Sequence, residues 1–89
     1  MNELNLYYNC ITDIKVLKKV NFKELKKLDL SFNNISNIDV FNEVNFEKLE
    51  ELEICGNKID EKKYSKLIKK LKSKLTEFLY SSKMMKPAF

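Results

Sequence analysis

Residues 4–27 and 28–51 align without a gap at a period of 24 residues, with 10 of the 24 positions identical, and a third copy opens at Leu52. A chain that repeats at this spacing consists of copies of one small unit. No unit can bury its apolar face alone, so the copies must stack. The Leu4-x-Leu6-x-x-Asn9-x-Ile11 pattern returns as Leu28-x-Leu30-x-x-Asn33-x-Ile35 and again as Leu52-x-Ile54-x-x-Asn57-x-Ile59. The alternation at Leu4-Asn5-Leu6, Leu28-Asp29-Leu30 and Leu52-Glu53-Ile54 is that of a short strand with one face buried. Copies of such a strand stack in parallel. Asn9, Asn33 and Asn57 follow each strand where the chain turns. An amide there can bond loop backbone groups that would otherwise be buried unpaired.

Position twelve of the unit is Thr12, Ser36 and then Asp60, three side chains able to accept hydrogen bonds from the free amides of a helix start. In the first two copies the expected helix is short, carrying Ile14, Leu17 and Val20, then Ile38, Phe41 and Val44, before Phe22-Leu25 and Phe46-Leu49 lead back to the next strand. In the third copy Tyr64, Leu67, Ile68, Leu71, Leu75, Phe78 and Leu79 recur in steps of three and four. That spacing predicts an amphipathic helix over 61–80, about five turns long, which ends near Ser81-Ser82 ahead of Pro87. Ile59 and Tyr64 have the spacing of a hydrophobic staple at its entry. A stack of this kind needs a terminal cap, and the helix is expected to supply it.

The unit Leu25–Ile38, LKKLDLSFNNISNI, resembles the leucine-rich repeat family, whose pattern is LxxLxLxxNxIxxI. It is similar to the short repeats of phosphatase regulatory subunits, bacterial internalins and many Lys- and Asn-rich protist proteins. The resemblance covers about residues 1–60, and each copy adds a Val-Asn-Phe, at 20–22 and 44–46. It implies an asparagine ladder and a concave sheet that takes protein ligands. The expected fold is α/β: a leucine-rich-repeat solenoid with a short parallel sheet on its concave face, convex helices and a C-terminal amphipathic capping helix. The expected division is 1–60 for about two and a half repeats, 61–80 for the cap and 81–89 for a tail.

Little of the sequence stands ahead of the first strand to cover Leu4, Leu6 or that strand's free edge. Two readings follow. The chain is the C-terminal end of a longer repeat scaffold, or it meets a partner or its own copy through the uncapped first strand.

Composition narrows the function. All 17 basic residues among the 89 are Lys, and there is no Arg, His or Trp. The chain therefore lacks the usual general base, the commonest zinc ligand and the bidentate phosphate fork. Cys10 and Cys55 occupy different places in the unit, about 10 Å apart at two strand spacings, beyond disulfide reach. They read as free thiols of a reducing, cytoplasmic compartment. The single Gly56 excludes a Gly-rich phosphate cradle. No enzyme activity, cofactor, metal or small-molecule substrate is expected, and no signal peptide or membrane span is legible.

The residues between the buried leucines form the concave face. Its columns across the stack are Glu3, Lys27, Glu51; Asn5, Asp29, Glu53; Tyr7, Ser31, Cys55; and Tyr8, Phe32, Gly56. This face is acidic with an aromatic corner. It is suited to a basic, partly apolar protein segment, because aromatic anchors supply interface energy while charges steer. The expected contacts are Tyr7, Lys27, Asp29, Ser31, Phe32, Glu51 and Glu53; the alternative is that these are ordinary solvated strand positions. Net charge is also uneven: residues 1–60 hold 8 Lys against 11 acidic residues, and residues 61–89 hold 9 Lys against 2. Seven Lys between 62 and 74 could meet an anionic membrane or nucleic acid. A capping helix needs a charged outer face in any case, and without Arg or interleaved exposed aromatics the face encodes no base stacking.

Overall fold

A computed structural model describes residues 3–19, 24–43 and 47–80. The Val-Asn-Phe segments and the 81–89 tail, with the helix stop expected there, lie outside the described residues. Four strands, β1 (Glu3–Asn5), β2 (Lys27–Asp29), β3 (Glu51–Glu53) and β4 (Glu77–Leu79), form one sheet in the order β1-β2-β3-β4. Every pairing is parallel, and the register follows the repeat: Leu4 lies beside Leu28, Leu28 beside Leu52, and Leu52 beside Phe78. The crossovers carry a 3-10 turn at Lys15–Lys19, the short helix α1 (Val40–Glu43) and the longer helix α2 (Ser65–Lys74).

Period-two alternation puts one side chain of each strand into the core. Leu25, Leu28, Leu30, Ile35, Ile38, Leu52 and Ile54 are fully buried. Each such aliphatic side chain withdrawn from water stabilises the fold by about 1.5–3 kcal/mol. Leu67, Ile68 and Leu71 on α2, with Tyr64 before it, close the same core from the crossover side.

The expected helix over 61–80 is a correction. Residues 61–64 form turns, α2 ends at Lys74, and Leu75 is already extended at φ −91°, ψ 144°. The chain then returns to the sheet as β4, so the sheet has four strands where three were expected. Leu75-Thr76-Glu77-Phe78-Leu79-Tyr80 is a diverged LxxLxL. Leu75 and Phe78 occupy the places of Leu49 and Leu52, and β4 stands 26 residues after β3 because α2 is the longest crossover. α2 is thus a crossover between two strands, like α1 before it.

The turn asparagines behave as expected. Asn57 Nδ2 donates to the carbonyls of Leu30, Ile54 and Cys55, while its Oδ1 accepts the Ile35 N–H. Asn33 repeats this with Leu6, Leu30 and Ser31 and accepts from the Ile11 N–H. Both are buried. The helix-start side chains differ in part. Asp60 Oδ1 accepts from the Lys62 and Lys63 amides, but these belong to the turns of 61–64: α2 begins at Ser65 behind Tyr64 with no side-chain cap, a correction to Asp60 as the helix start. In the first two copies the acceptors are Asp13, from Lys15, and Asn37, from Asp39, one residue beyond Thr12 and Ser36. The shorter crossovers there turn one residue later.

Candidate functional site

The face of the sheet turned away from the crossovers carries the outward strand residues in two rows. The first row is Glu3, Lys27, Glu51 and Glu77, and the second is Asn5, Asp29, Glu53 and Leu79. In-register stacking spaces neighbours along a row by one strand separation, roughly 4.8 Å. Lys27 Nζ lies 3.4 Å from Glu3 and 3.2 Å from Glu51, bridging both neighbours in its row. These pairs are exposed and contribute on the order of 0–1 kcal/mol each. Hydrogen bonds to Glu51 and Glu3 push the Lys27 pKa up.

Asp29, Glu53 and Glu77 have no such cation among the described residues. Partial burial of its carboxyl, then the adjacent Asp29, with Glu77 and Glu51 beyond, holds the Glu53 pKa above the ordinary carboxylate value. Desolvation and like charge both oppose ionisation, which a cation arriving from solvent would relieve. One oxygen of Asp29 is already committed: its Oδ1 accepts the Ser31 N–H and shapes the turn after β2, as Asn5 Oδ1 does for Tyr7. These groups line a shallow groove along the sheet.

The turns that follow β1 and β2 carry an aromatic group. The Tyr8 and Phe32 rings stack at 4.8 Å between centroids, and Tyr7 meets them edge-on at 4.4 and 5.6 Å. Tyr8, Phe32 and Gly56 occupy one repeat position, and all three are left-handed, with φ of 59°, 60° and 67°. Gly56 suits that conformation, and Phe32 lies directly over it: a Cβ at residue 56 would fall 2.5 Å from the Phe32 ring. Bulky residues adopt positive φ at a cost of about 1–3 kcal/mol. Tyr8 and Phe32 hold that backbone while Tyr7 and Tyr8 remain 45% and 63% exposed.

Of the expected contacts, Lys27, Asp29, Glu51 and Glu53 share the groove, and Tyr7 and Phe32 share the aromatic group. Ser31 is only 5% exposed and lies beneath the surface, a correction to its place among the contacts. Tyr8 is the most exposed ring of the group. Glu77 and Leu79 complete the two rows and were not anticipated; reading Leu75–Tyr80 as LxxLxL places both at the outward positions.

On the crossover side, α2 exposes Lys66, Lys69, Lys70, Lys72 and Lys74, with Lys62 and Lys63 just before it. None of these lysines pairs with a carboxylate among the described residues. Lys63 and Lys72 lie over the rings of Tyr64 and Tyr80, at 5.2 and 4.8 Å. The Cys10 thiol is free and exposed, and Cys55 is half-buried. No cluster of metal-ligating side chains is found, and no helix is long and apolar enough to cross a membrane, among the described residues.

Parallel strands in repeat register, joined by turns that an asparagine ladder holds, define a repeat protein of strand, turn and crossover. The family described as Leucine Rich repeats (2 copies) matches residues 1–43 and 23–71. The chain belongs to the leucine-rich repeat family. Domains of this family generally mediate protein–protein interaction and are typically non-catalytic. Comparison with curated proteins and with solved structures gave no match.

Proposed function

We propose that the chain is a non-catalytic interaction module that binds a basic protein segment in the acidic groove of its sheet, anchored at the Tyr7, Tyr8 and Phe32 rings. The carrying observation is the combination of carboxylates at Asp29, Glu53 and Glu77 that meet no cation among the described residues with an exposed aromatic group on the turns that follow β1 and β2. Two of those rings occupy a backbone conformation that disfavours them, which supports a use for the rings beyond packing. Within this reading the module is the C-terminal end of a longer scaffold, and its fourth strand, with Phe78 and Tyr80 in place of aliphatic residues, is the diverged last unit.

Partner capture from a lysate tests the groove. Asp29→Asn keeps an oxygen to accept the Ser31 amide, so Asp29→Asn with Glu53→Gln removes two charges without breaking the turn. Capture is expected to weaken while the circular dichroism stays constant. Undiminished capture by the double variant sinks the groove as the site.

The α2 lysines, which pair with no carboxylate among the described residues, favour a second reading, an anionic surface met by the crossover side. Cosedimentation with anionic vesicles at low and high salt decides it. Absence of binding at low salt removes this reading.

A further inference from the structure

The β1–β2 and β2–β3 junctions are made by the same set of groups, and one side of that set is open in the first unit among the described residues. At the β2–β3 junction, Leu30 N–H donates to Glu53 O and Phe32 N–H to Cys55 O; at β1–β2, Leu6 N–H donates to Asp29 O and Tyr8 N–H to Ser31 O. The carbonyls equivalent to Asp29 and Ser31 in the first unit are those of Asn5 and Tyr7, which face away from β2. In the turns, Asn34 and Lys58 N–H donate to the carbonyls of Ile11 and Ile35. The equivalent donor in the first unit, Cys10 N–H, meets no acceptor among the described residues. Asn9 completes the pattern. Its Nδ2 donates only within its own turn, to Leu6 and Tyr7 carbonyls, and its Oδ1 meets no donor among the described residues, whereas Asn33 and Asn57 Oδ1 each accept from the neighbouring unit.

The apolar side repeats the mismatch. Leu4, Leu6 and Ile11 are partly exposed, while Leu28, Leu30 and Ile35 at the same repeat positions are 1%, 0% and 0% exposed. The outer face of Tyr8 likewise lies open where Phe32 carries Tyr8 on top of it.

We infer that the β1 edge is a docking surface for one further leucine-rich repeat unit, stacked parallel and in the register of the β1–β2 junction. An antiparallel second copy would pair the strand but could not bring an amide to Asn9 Oδ1 or an acceptor to Cys10 N–H. The occupant is fixed by continuity with two junctions of identical chemistry in the chain itself. This inference deepens the scaffold part of the function proposed above, and it is independent of whether the acidic groove holds the partner.

The test supplies the unit covalently. A copy of residues 28–51 is joined in phase ahead of Leu4 of the full chain, and amide exchange, thermal unfolding and sedimentation are compared with the chain alone. The Asn5 and Cys10 amides are expected to exchange about tenfold slower or more in the fusion. The midpoint is expected to rise by ~4 °C or more. Asn9→Ala, which shifts the chain alone by no more than about 2 °C, is expected to remove part of that gain in the fusion. A control fusion with Asp in place of the copied Leu28 and Leu30 gives neither effect. Unchanged exchange at Asn5 and Cys10 in a fusion whose added unit is folded overturns the inference. So does a dimer of the unfused chain that already protects these amides, which would make a second copy the occupant. Neither result bears on capture by Asp29→Asn with Glu53→Gln, so the two ideas fail separately.

Discussion

Asn57 and Asn9 occupy the same repeat position yet differ in what they hold. Asn57 is 4% exposed and satisfies three carbonyls and one amide, whereas Asn9 is exposed and serves two carbonyls of its own turn. Asn57→Ala leaves buried groups unpaired and is expected to cost about 2–3 kcal/mol, readable as a lower denaturant midpoint at constant slope. Asn9→Ala in the chain alone is expected to cost under ~0.5 kcal/mol. Gly56→Ala places a methyl against the Phe32 ring on a left-handed backbone and is expected to cost about 1–3 kcal/mol. Loss of near-ultraviolet dichroism from Phe32 and Tyr8 would accompany it; an unperturbed aromatic signal would show that the ring is not seated on residue 56. The roles of the three asparagines are legible in the sequence, because the amide recurs in phase with the leucines. The left-handed position is not: Tyr8 and Phe32 conceal it, and only Gly56 hints that the backbone there has positive φ.

The same carboxylate that lends the groove its charge weakens the fold. The Glu53 pKa is raised in the folded chain, first by partial burial and then by Asp29. The folded state therefore holds this proton more tightly than the unfolded one. Stability falls as pH rises from the ordinary carboxylate value, near 4.5, through the raised one. Glu53→Gln is expected to be more stable than the parent at pH 7, the difference closing below about pH 4. Urea midpoints across that range measure it, and a constant difference at every pH would assign the effect to something other than charge.

At the scale of elements, β4 is where expectation and structure part. Tyr64, Leu67, Ile68, Leu71, Leu75 and Phe78 fit a helical stripe, and Leu75-x-x-Phe78-x-Tyr80 equally fits the strand pattern of the repeat. Neither Gly nor Pro marks the end of α2, so local sequence does not separate the two. The free edge of β3 decides: its unpaired peptide groups and the leucines behind it are satisfied only by another strand. The alternatives make opposite demands on adjacent residues. On a helix Phe78 and Leu79 would both face the core, whereas on β4 Phe78 is half-buried and Leu79 is 42% exposed on the sheet face. Phe78→Ser is therefore expected to cost about 1–3 kcal/mol and Leu79→Ser under ~0.5 kcal/mol. Similar losses at both positions would restore the longer helix. The cap residues show a smaller slip of the same origin, since Thr12 or Asp13, and Ser36 or Asn37, are equally able acceptors and only the length of the crossover chooses between them.

For the molecule as a whole, the repeat made the stacking order and register readable, because one period serves strand, turn and crossover together. The charge columns could be read as far as three strands reach. Glu77 and Leu79 were lost with the strand that bears them, and Ser31 could not be recognised as buried because its depth comes from the turn that Asp29 and Asn33 fold around it.

The lysines before and along α2 and the carboxylates of the groove lie on opposite sides of one thin sheet. Between Lys62 and Lys74 the chain carries no acid, and across the sheet Asp29, Glu53 and Glu77 carry no cation among the described residues. Such a body has a front and a back in an electric field. Laid on an anionic support it would settle with α2 downward and the groove facing the solvent, so the two uses proposed for its faces would not compete for the same orientation. A molecule bound to the groove would then be held off the support by the thickness of the sheet and the crossover layer behind it.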